Sequence, residues 1–244
     1  MNPKTISIII PVFNEQDRIA LTIKQVIASD TLGLVKEIVV IDDGSTDNTV
    51  KNLKSQISNH KSTNENSKLS LITNKINQGK GAVLKEAFLK STGDIVLVQD
   101  ADLEYSPSDY PELLQPFITQ HADVVYGSRF ISNKPHRVLY FWHSVVNKYL
   151  TTLSNMFTNL NFTDMETGFK VFKGDIIRSI APNLQTKRFG FEPEITARIA
   201  KIKTLKIYEV GISYAGRTYA EGKKIGWKDG FRALFEIVYF NLFS

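Results

Sequence analysis

The chain has 244 residues, 42% of them hydrophobic and 11% aromatic, which is enough for one large domain with a substantial core. It contains no cysteine, so disulfides, thiolate metal sites and a cysteine nucleophile are excluded. The formal net charge of +5 favours anionic partners, such as phosphate substrates, anionic lipid or nucleic acid.

The first half of the chain alternates strand and helix patterns. Continuous apolar runs predict buried strands at 6–10, 37–41, 69–73, 95–98 and 122–126. Apolar residues at helical spacing predict helices that begin at Asn14, after Asp47, after the turn at 77–81 and at Pro107. This alternation predicts an α/β domain with a Rossmann-like, mostly parallel central sheet that is flanked by helices.

The second half has a different composition. No Asp or Glu occurs between residues 128 and 163, and this stretch carries the basic residues Arg129, Lys134, Arg137 and Lys148. Helices are predicted at 138–160, at 192–201 and from Trp227 to the end of the chain. Short strands are predicted at 167–172 and 206–212.

Two of these helices have broad apolar faces. The face of the helix at 138–160 consists of Leu139, Trp142, Val146, Tyr149, Leu153, Met156 and Leu160. The face of the amphipathic C-terminal helix consists of Phe231, Leu234, Phe235, Val238, Tyr239 and Leu242. Such faces are compatible both with packing on the sheet and with lying in a bilayer interface.

Three carboxylates follow the fourth predicted strand, namely Asp100, Asp102 and Glu104. The carboxyl ends of parallel strands border the ligand crevice of an open α/β sheet. Oxygen ligands at this spacing suit a hard divalent cation, Mg²⁺ or Mn²⁺, which in turn binds phosphate. An Asp-x-Asp by itself is a weak signal, because most are solvated turns or helix caps.

Two other polar turns lie at ends of predicted elements. Asp42 and Asp43 begin DDGS, which is either an Asx turn with a helix cap or an acceptor for a base or ribose hydroxyl. The sequence QGKG at 78–81 places Lys80 at a helix N-terminus, where phosphate can bind. The spacings of a Walker A loop, a GxGxxG turn, a Gly-x-Ser-x-Gly elbow and a zincin are missing.

Together and in this order, strand-PVFNE, strand-DDGSTDNT, GKG and strand-DADLEY resemble the family 2 glycosyltransferases of GT-A fold. This likeness spans residues 6–130. Downstream, YGSRF at 126–130, TDMETGFKVF at 163–172, FGFEPE at 189–194 and GRTY at 216–219 resemble the polyisoprenyl-phosphate branch, the relatives of dolichol-phosphate mannose synthase. The resemblance implies a GT-A domain at 1–214, with a nucleotide-sugar half at 1–127 and an acceptor half at 128–214. A basic loop and the amphipathic helix would follow at 215–244.

The resemblance also implies roles for individual residues on the donor side. The base pocket would be formed by Pro11, Phe13, Glu15, Asp42 and Asp43, with Lys80 as a further donor-binding residue. Mg²⁺ or Mn²⁺ on the nucleotide diphosphate would be held by Asp100, Asp102 and Glu104. Family members often have Tyr at the position of Phe13 and Gln at the position of Glu104.

The acceptor side is implied by basic residues. Arg129, Arg137 and Arg217 match positions that bind the acceptor phosphate and the leaving diphosphate, so with Asp100 and Asp102 they form the predicted catalytic set. The implied reaction is inverting, metal-dependent transfer of a hexose from a GDP-mannose or UDP-glucose type donor to a polyprenyl or dolichyl phosphate. A phosphate acceptor needs no general base, whereas a hydroxyl acceptor would make Asp164 and Glu166 candidate bases.

Two alternatives stay open at this point. One is a glycosyltransferase with a hydroxyl acceptor in polysaccharide or glycan synthesis, and the other is a non-catalytic, nucleotide-sensing protein on the same fold. Neither involves nucleic acid, because no nucleic-acid module is recognisable.

The location follows from the absence of certain segments. No signal peptide and no transmembrane helix are predicted, so we expect a cytoplasmic protein that is peripheral at the cytoplasmic face of a membrane. Contact with the membrane would be made by the C-terminal helix, which has Lys223, Lys224, Lys228 and Arg232 near its start, or through a membrane-protein partner or a homo-oligomer.

Overall fold

The computed structural model describes residues 3–61, 67–131, 137–138, 140–188, 190–218 and 227–244. The strands in these ranges are β1 (Thr5–Val12), β2 (Val35–Asp42), β3 (Ser67–Thr73), β4 (Ile95–Val98), β5 (Val124–Ser128), β6 (Lys170–Lys173) and β7 (Ile207–Gly211). They form one sheet in the order β3-β2-β1-β4-β6-β5-β7. β6 runs antiparallel to both β4 and β5, and the other neighbours pair in parallel. The predicted α/β fold with a mostly parallel sheet is confirmed.

The helices are α1 (Ile19–Ala28), α2 (Thr49–Lys61), α3 (Lys80–Lys90), α4 (Tyr110–Thr119), α5 (Phe141–Thr158), α6 (Gly174–Ile180), α7 (Phe191–Ala200) and α8 (Trp227–Leu242). The predicted start of the first helix at Asn14 is wrong. Asn14 has a left-handed backbone with φ 51°, and it pairs with the loop after β2: its N–H donates to the Ser45 hydroxyl and its side-chain oxygen accepts from the Thr46 N–H. α6 escaped prediction because seven residues give too few turns for a periodic pattern.

The core lies in two layers, one on each side of the sheet. Alternating residues of one strand enter opposite layers, as Ile8 and Ile9 do in β1, and both are fully buried. The layer around Ile8 is completed by α1 and α4, and the layer around Ile9 by α3, α6 and α7. Burial on both faces explains the continuous apolar runs, and each such side chain contributes about 1.5–3 kcal/mol.

α5 and α8 pack on each other, and α7 packs against both. Their buried faces consist of Leu150, Thr151, Ser154 and Thr158 in α5 and of Ala233, Ile237 and Phe240 in α8. Large apolar side chains lie on the outside: Trp142 is 72% exposed, Tyr149 58%, Met156 76%, Phe231 67% and Phe235 68%. We call these five residues the outer apolar surface. Most of the predicted stripe of α5 therefore faces away from the sheet, while Leu139 lies outside the described residues.

No helix within the described ranges combines the length and the apolar character that a membrane span requires.

Candidate active site

A tight loop after β4 carries the three predicted metal ligands. Gln99 is fully buried and ties the loop together: its amide NH₂ donates to the carbonyls of Asp100 and Tyr105, at 2.9 and 3.2 Å. Its side-chain carbonyl accepts from the Tyr110 hydroxyl at 2.8 Å. These hydrogen bonds fix the loop from the side of the core, so the acidic side chains lie at the carboxyl edge of the sheet.

Arg217 is the centre of a cluster of carboxylates. Its guanidinium lies 2.7 Å from Asp102, 2.9 Å from Glu104 and 3.4 Å from Glu15. Glu104 also accepts from the Tyr214 hydroxyl at 2.6 Å, so the loop before α8 is docked on the loop after β4. The structure thus brings together predicted residues from both ends of the chain.

Lys80 connects the acidic loop to a residue that the sequence analysis missed. Its ammonium group lies 3.0 Å from Asp100 and 3.1 Å from Glu192 at the start of α7. Burial alone would lower the pKa of Lys80, but the two carboxylates outweigh it and raise the pKa above its usual value. Glu192 belongs to the FGFEPE motif, which was noted without a role for any of its residues; Phe189 of that motif lies outside the described residues.

Both aspartates of the DDGS turn accept hydrogen bonds from backbone N–H groups. Asp42 accepts from the Ser45 N–H at 3.1 Å, which is an Asx turn, and its other carboxylate oxygen is buried with no hydrogen-bond partner in the described part of the chain. Asp43 accepts from the N–H groups of Gln78 and Gly79, at 2.8 and 2.7 Å. These N–H groups would otherwise be available to a phosphate at the start of α3. A carboxylate accepts up to about four hydrogen bonds, so Asp43 retains capacity for a base.

The other predicted base-pocket residues lie around the end of β1. Glu15 is buried, its N–H donates to the Thr49 hydroxyl, and its carboxylate is 3.3 Å from Arg18. Pro11 and Phe13 are partly exposed at the same edge of the sheet as Asp43. Their role in base binding stays a prediction.

Arg129 does not join the acidic cluster. It forms a two-pronged ion pair with the fully buried Asp164, with both distances at 2.6 Å, and donates to Asn147 of α5 at 3.1 Å. Its guanidinium also lies over the Tyr214 ring, 5.1 Å from the centroid. Both carboxylate oxygens of Asp164 are occupied in this way, which leaves it poorly placed to act as a base.

Arg137 borders a pocket of about 380 Å³ that is also lined by Glu104. Its guanidinium donates to the Gly216 carbonyl at 3.0 Å, and its N–H donates to the Tyr214 carbonyl at 2.9 Å. The pocket is lined by Leu103, Glu104, Ser106, Arg137, Ser213, Tyr214 and Ala215. Arg137 therefore contacts the loop that carries Arg217. Arg129 instead packs on the ring of Tyr214, which belongs to the same loop.

Glu166 lies in the turn before β6 and makes no hydrogen bond to any described residue, with its Oε1 atom buried. Burial, followed by the negative charge of Glu192, raises the pKa of this carboxyl to about 8. The hydroxyl of Thr167, the next residue, is also buried and has no hydrogen-bond partner within the ranges that the structure describes. Gly168 follows, and a Cβ atom there would come within 2.3 Å of an Asp100 oxygen. This turn is therefore pressed against the acidic loop.

The acidic loop fits a divalent cation by its chemistry. Its donors are oxygens alone, which is the ligand type of Mg²⁺ and Mn²⁺. Burial, and then the charges of Asp100 and Glu104, raise the pKa of Asp102 to about 7, and a cation would relieve this repulsion. Among the described residues, no three His, Asp or Glu side chains already converge as metal ligands. Lys80 pairs with Asp100, and Arg217 pairs with Asp102 and Glu104. Ligation by Glu104 stays a prediction.

Comparison with known proteins gives the family. The model for glycosyl transferase family 2 matches residues 7–180. A UDP-N-acetylglucosamine--dolichyl-phosphate N-acetylglucosaminyltransferase of Methanococcus voltae is 28% identical over 98% of this chain and 96% of that protein. A dolichyl-phosphate beta-glucosyltransferase of Dictyostelium discoideum is 29% identical over 90% of this chain and 68% of that protein. These relatives confirm the resemblance to the polyisoprenyl-phosphate branch.

A solved structure gives the fold. Glucosyl-3-phosphoglycerate synthase of Mycobacterium tuberculosis, in complex with Mn²⁺, uridine diphosphate and phosphoglyceric acid, has a TM-score of 0.73 and 18% identity. The match covers 99% of this chain and 80% of that chain, and it confirms the GT-A fold. The protein belongs to glycosyl transferase family 2 and is a glycosyltransferase of GT-A fold.

Proposed function

We propose that the protein transfers a hexose from a nucleotide sugar to a polyprenyl or dolichyl phosphate, with inversion and with Mg²⁺ or Mn²⁺, at a membrane surface. The observation that carries the proposal is the contact of Arg217 with Asp102 and Glu104. It places a cation that suits phosphate directly beside carboxylates that suit the metal of a nucleotide diphosphate. The names of the relatives from Methanococcus and Dictyostelium support a lipid-phosphate acceptor.

The chemistry needs orientation more than proton transfer. An oxygen of the lipid phosphate attacks the anomeric carbon, the bond from that carbon to the diphosphate breaks, and the configuration inverts. Asp100, Asp102 and Glu104 would hold the metal, which when bound neutralises the leaving diphosphate. Arg217 and Arg137 orient the phosphate groups, and the acceptor is already ionised near neutral pH, so no base is required.

The acceptor side supports a lipid. The pocket beside Arg137 offers an arginine to a phosphate at the edge of the acidic loop. The outer apolar surface of α5 and α8 carries Trp142 and Phe235, with the exposed basic residues Lys148 and Arg232 on the same helices. Aromatic side chains beside basic ones are typical of helices that lie in a bilayer interface, and this supports a peripheral position on a membrane.

A donor and acceptor panel tests the proposal. Purified protein is incubated with Mn²⁺ or Mg²⁺, a polyprenyl phosphate in detergent, and radiolabelled UDP-glucose, UDP-N-acetylglucosamine or GDP-mannose. We expect a labelled lipid with at least one donor, its loss with EDTA, and an anomeric configuration opposite to that of the donor. Absence of labelled lipid with every donor in the panel would reject the proposal.

One observation favours the alternative of a hydroxyl acceptor. The Oε1 atom of Glu166 is buried without a hydrogen-bond partner among the described residues, and burial raises the pKa of this carboxyl to about 8, which is in the range of a general base. If a hydroxyl is the acceptor, Glu166→Gln abolishes turnover of bound donor, and Asp164→Asn acts only through the position of Arg129. If a lipid phosphate is the acceptor, Glu166→Gln retains turnover at saturating donor.

A further inference from the structure

Glu166 differs from the other carboxylates around the active site. Asp100 is paired with Lys80, Asp102 and Glu104 with Arg217, and Asp164 with Arg129. Asp43 binds backbone N–H groups, and Glu192 binds Lys80. Within the described residues Glu166 lies in no ion pair and its Oε1 atom has no hydrogen-bond donor, although the charges of Lys170 and Arg129 favour its ionised form. The adjacent hydroxyl of Thr167 is likewise buried without a partner among these residues. Buried polar atoms are almost always hydrogen-bonded, so these two indicate a group that is bound from outside.

The position of these atoms indicates which group that is. The turn 166–168 touches Asp100 at Gly168, and Glu192, whose charge acts on Glu166, shares Lys80 with Asp100. Asp100 is the residue to which the proposed function assigns the metal of the diphosphate. The hexose is attached to that diphosphate, so it must lie within a few ångströms of Asp100.

The chemistry of a hexose matches the two unpartnered atoms. Hexose hydroxyl groups both donate and accept hydrogen bonds, so they can bond to Glu166 whether its carboxyl group is ionised or protonated, and a threonine hydroxyl can also donate or accept. Resting on the proposed function, we propose that Glu166, together with the Thr167 hydroxyl, binds a hydroxyl of the donor hexose and thereby determines which sugar is accepted. A site built to bind a hydroxyl rejects an analogue that lacks it far more strongly than an apolar pocket rejects a change in size.

Binding measurements separate this contact from the rest of the donor. Isothermal titration with Mn²⁺ gives the Kd of UDP and UDP-glucose, of UDP and UDP-N-acetylglucosamine, and of GDP and GDP-mannose. For the donor that the wild type prefers, Glu166→Ala raises the Kd of the nucleotide sugar roughly 10- to 100-fold and leaves the Kd of the nucleoside diphosphate unchanged. Glu166→Gln, which keeps an acceptor oxygen, restores part of the loss.

Two further variants control the result. Thr167→Val keeps the shape and removes the hydroxyl, and we expect the same selective loss to a smaller degree. Glu86→Ala removes a carboxylate from the outside of α3, where it pairs with Lys90, and leaves both Kd values unchanged. Thermal unfolding of each variant shows that it is folded under the conditions of the titration.

The outcomes distinguish the inference from the function on which it rests. An equal loss for sugar nucleotide and free nucleotide, or no loss for either, in a protein that still transfers sugar overturns the role of Glu166 and leaves the function intact. Loss of turnover with donor affinity unchanged overturns it in favour of a base. A wild type that binds no nucleotide sugar overturns both.

Discussion

At the scale of single residues, Arg217 determines the electrostatics of the active site. One guanidinium contacts Asp102, Glu104 and Glu15, which come from two different loops. It stands where a divalent cation would also be attracted, so protein and metal compete for the same negative charge. Because the same arginine suits a phosphate, displacement by a metal would release it toward a substrate.

The first prediction follows from this competition. Arg217→Gln removes the internal cation, so the affinity for Mn²⁺ in the absence of nucleotide rises roughly tenfold, or about 1.4 kcal/mol. Transfer activity falls in the same variant because the phosphate loses its arginine. Manganese binding is measured by electron paramagnetic resonance. Arg232→Gln on α8 makes the same change in net charge away from the site and leaves the affinity unchanged; a weaker affinity in Arg217→Gln would contradict the competition.

Asp102 gives a prediction about pH. Burial and the neighbouring carboxylates raise its pKa from 3.8 to about 7, so the folded protein keeps a proton here that must leave before a metal binds. Mn²⁺ affinity is therefore constant above pH 7 and falls up to about tenfold per unit as the pH drops below 7. Asp102→Asn abolishes this dependence and lowers the affinity. An affinity independent of pH between 5 and 8 in the wild type is incompatible with this assignment.

At the scale of elements, α5 and α8 show that an apolar stripe in the sequence does not determine whether that face is buried in the protein. Residues with small or polar side chains, Ser154 and Thr158 among them, form the inner face of α5, while Trp142 and Tyr149 point outward. The two helices come close at Gly230, where an added Cβ would lie 3.6 Å from Val146, and both helices carry exposed aromatic residues. Apolar patches of this kind mark contact surfaces.

The proposed membrane position predicts the effect of changing this surface. Trp142→Ser combined with Phe235→Ser lowers binding to vesicles of phosphatidylcholine and phosphatidylglycerol roughly 10- to 100-fold, because two aromatic side chains that would enter the bilayer are lost. Sedimentation with vesicles measures the binding. Leu21→Ser with Leu89→Ser, which alters two other exposed apolar residues, on α1 and α3, has no effect. Binding that survives the first pair would place the contact elsewhere.

At the scale of the whole molecule, the direction of β6 assembles the active site. Its antiparallel pairing aligns Val96 with Phe172 and Leu97 with Val171, so the residues before β6 lie beside those after β4. The turn with Glu166 and Gly168 thereby reaches Asp100, and Asp164 reaches Arg129 at the end of β5. A parallel β6 would carry this turn to the opposite edge of the sheet.

A core substitution in β6 tests how much this strand contributes to the stability of the fold. Phe172 is fully buried and packs edge-on against Phe88 of α3, so Phe172→Ala lowers the free energy of unfolding by about 3–5 kcal/mol. That is a large part of the roughly 5–15 kcal/mol that stabilises a domain. Urea denaturation measures the change. Phe243→Ala, at a site 73% exposed, costs less than about 0.5 kcal/mol; similar costs for both would refute this view of the core.

Much of the fold and part of the site could be predicted from local signals. Buried parallel strands are apolar throughout and end in polar turns, so β1, β2 and β4 and the acids after them are visible as patterns. Glu192 and the pairing of Arg129 with Asp164 were not predictable in this way. Hydrogen bonds between residues that are distant in sequence produce no periodic pattern. In the sequence, a glutamate that will be buried in a helix cannot be distinguished from an exposed one.

The amino-acid sequence by itself determined the α/β class, the family and the acidic loop of Asp100, Asp102 and Glu104, because these depend on side chains close together in the chain. Only the tertiary structure decided which partner each charge has. Arg217 pairs with Asp102 and Arg129 pairs with Asp164, while the Oε1 atom of Glu166 has no hydrogen-bond partner among the described residues. The physical reason is that ion pairing depends on distances of a few ångströms, which the direction of β6 and the docking of the last loop establish.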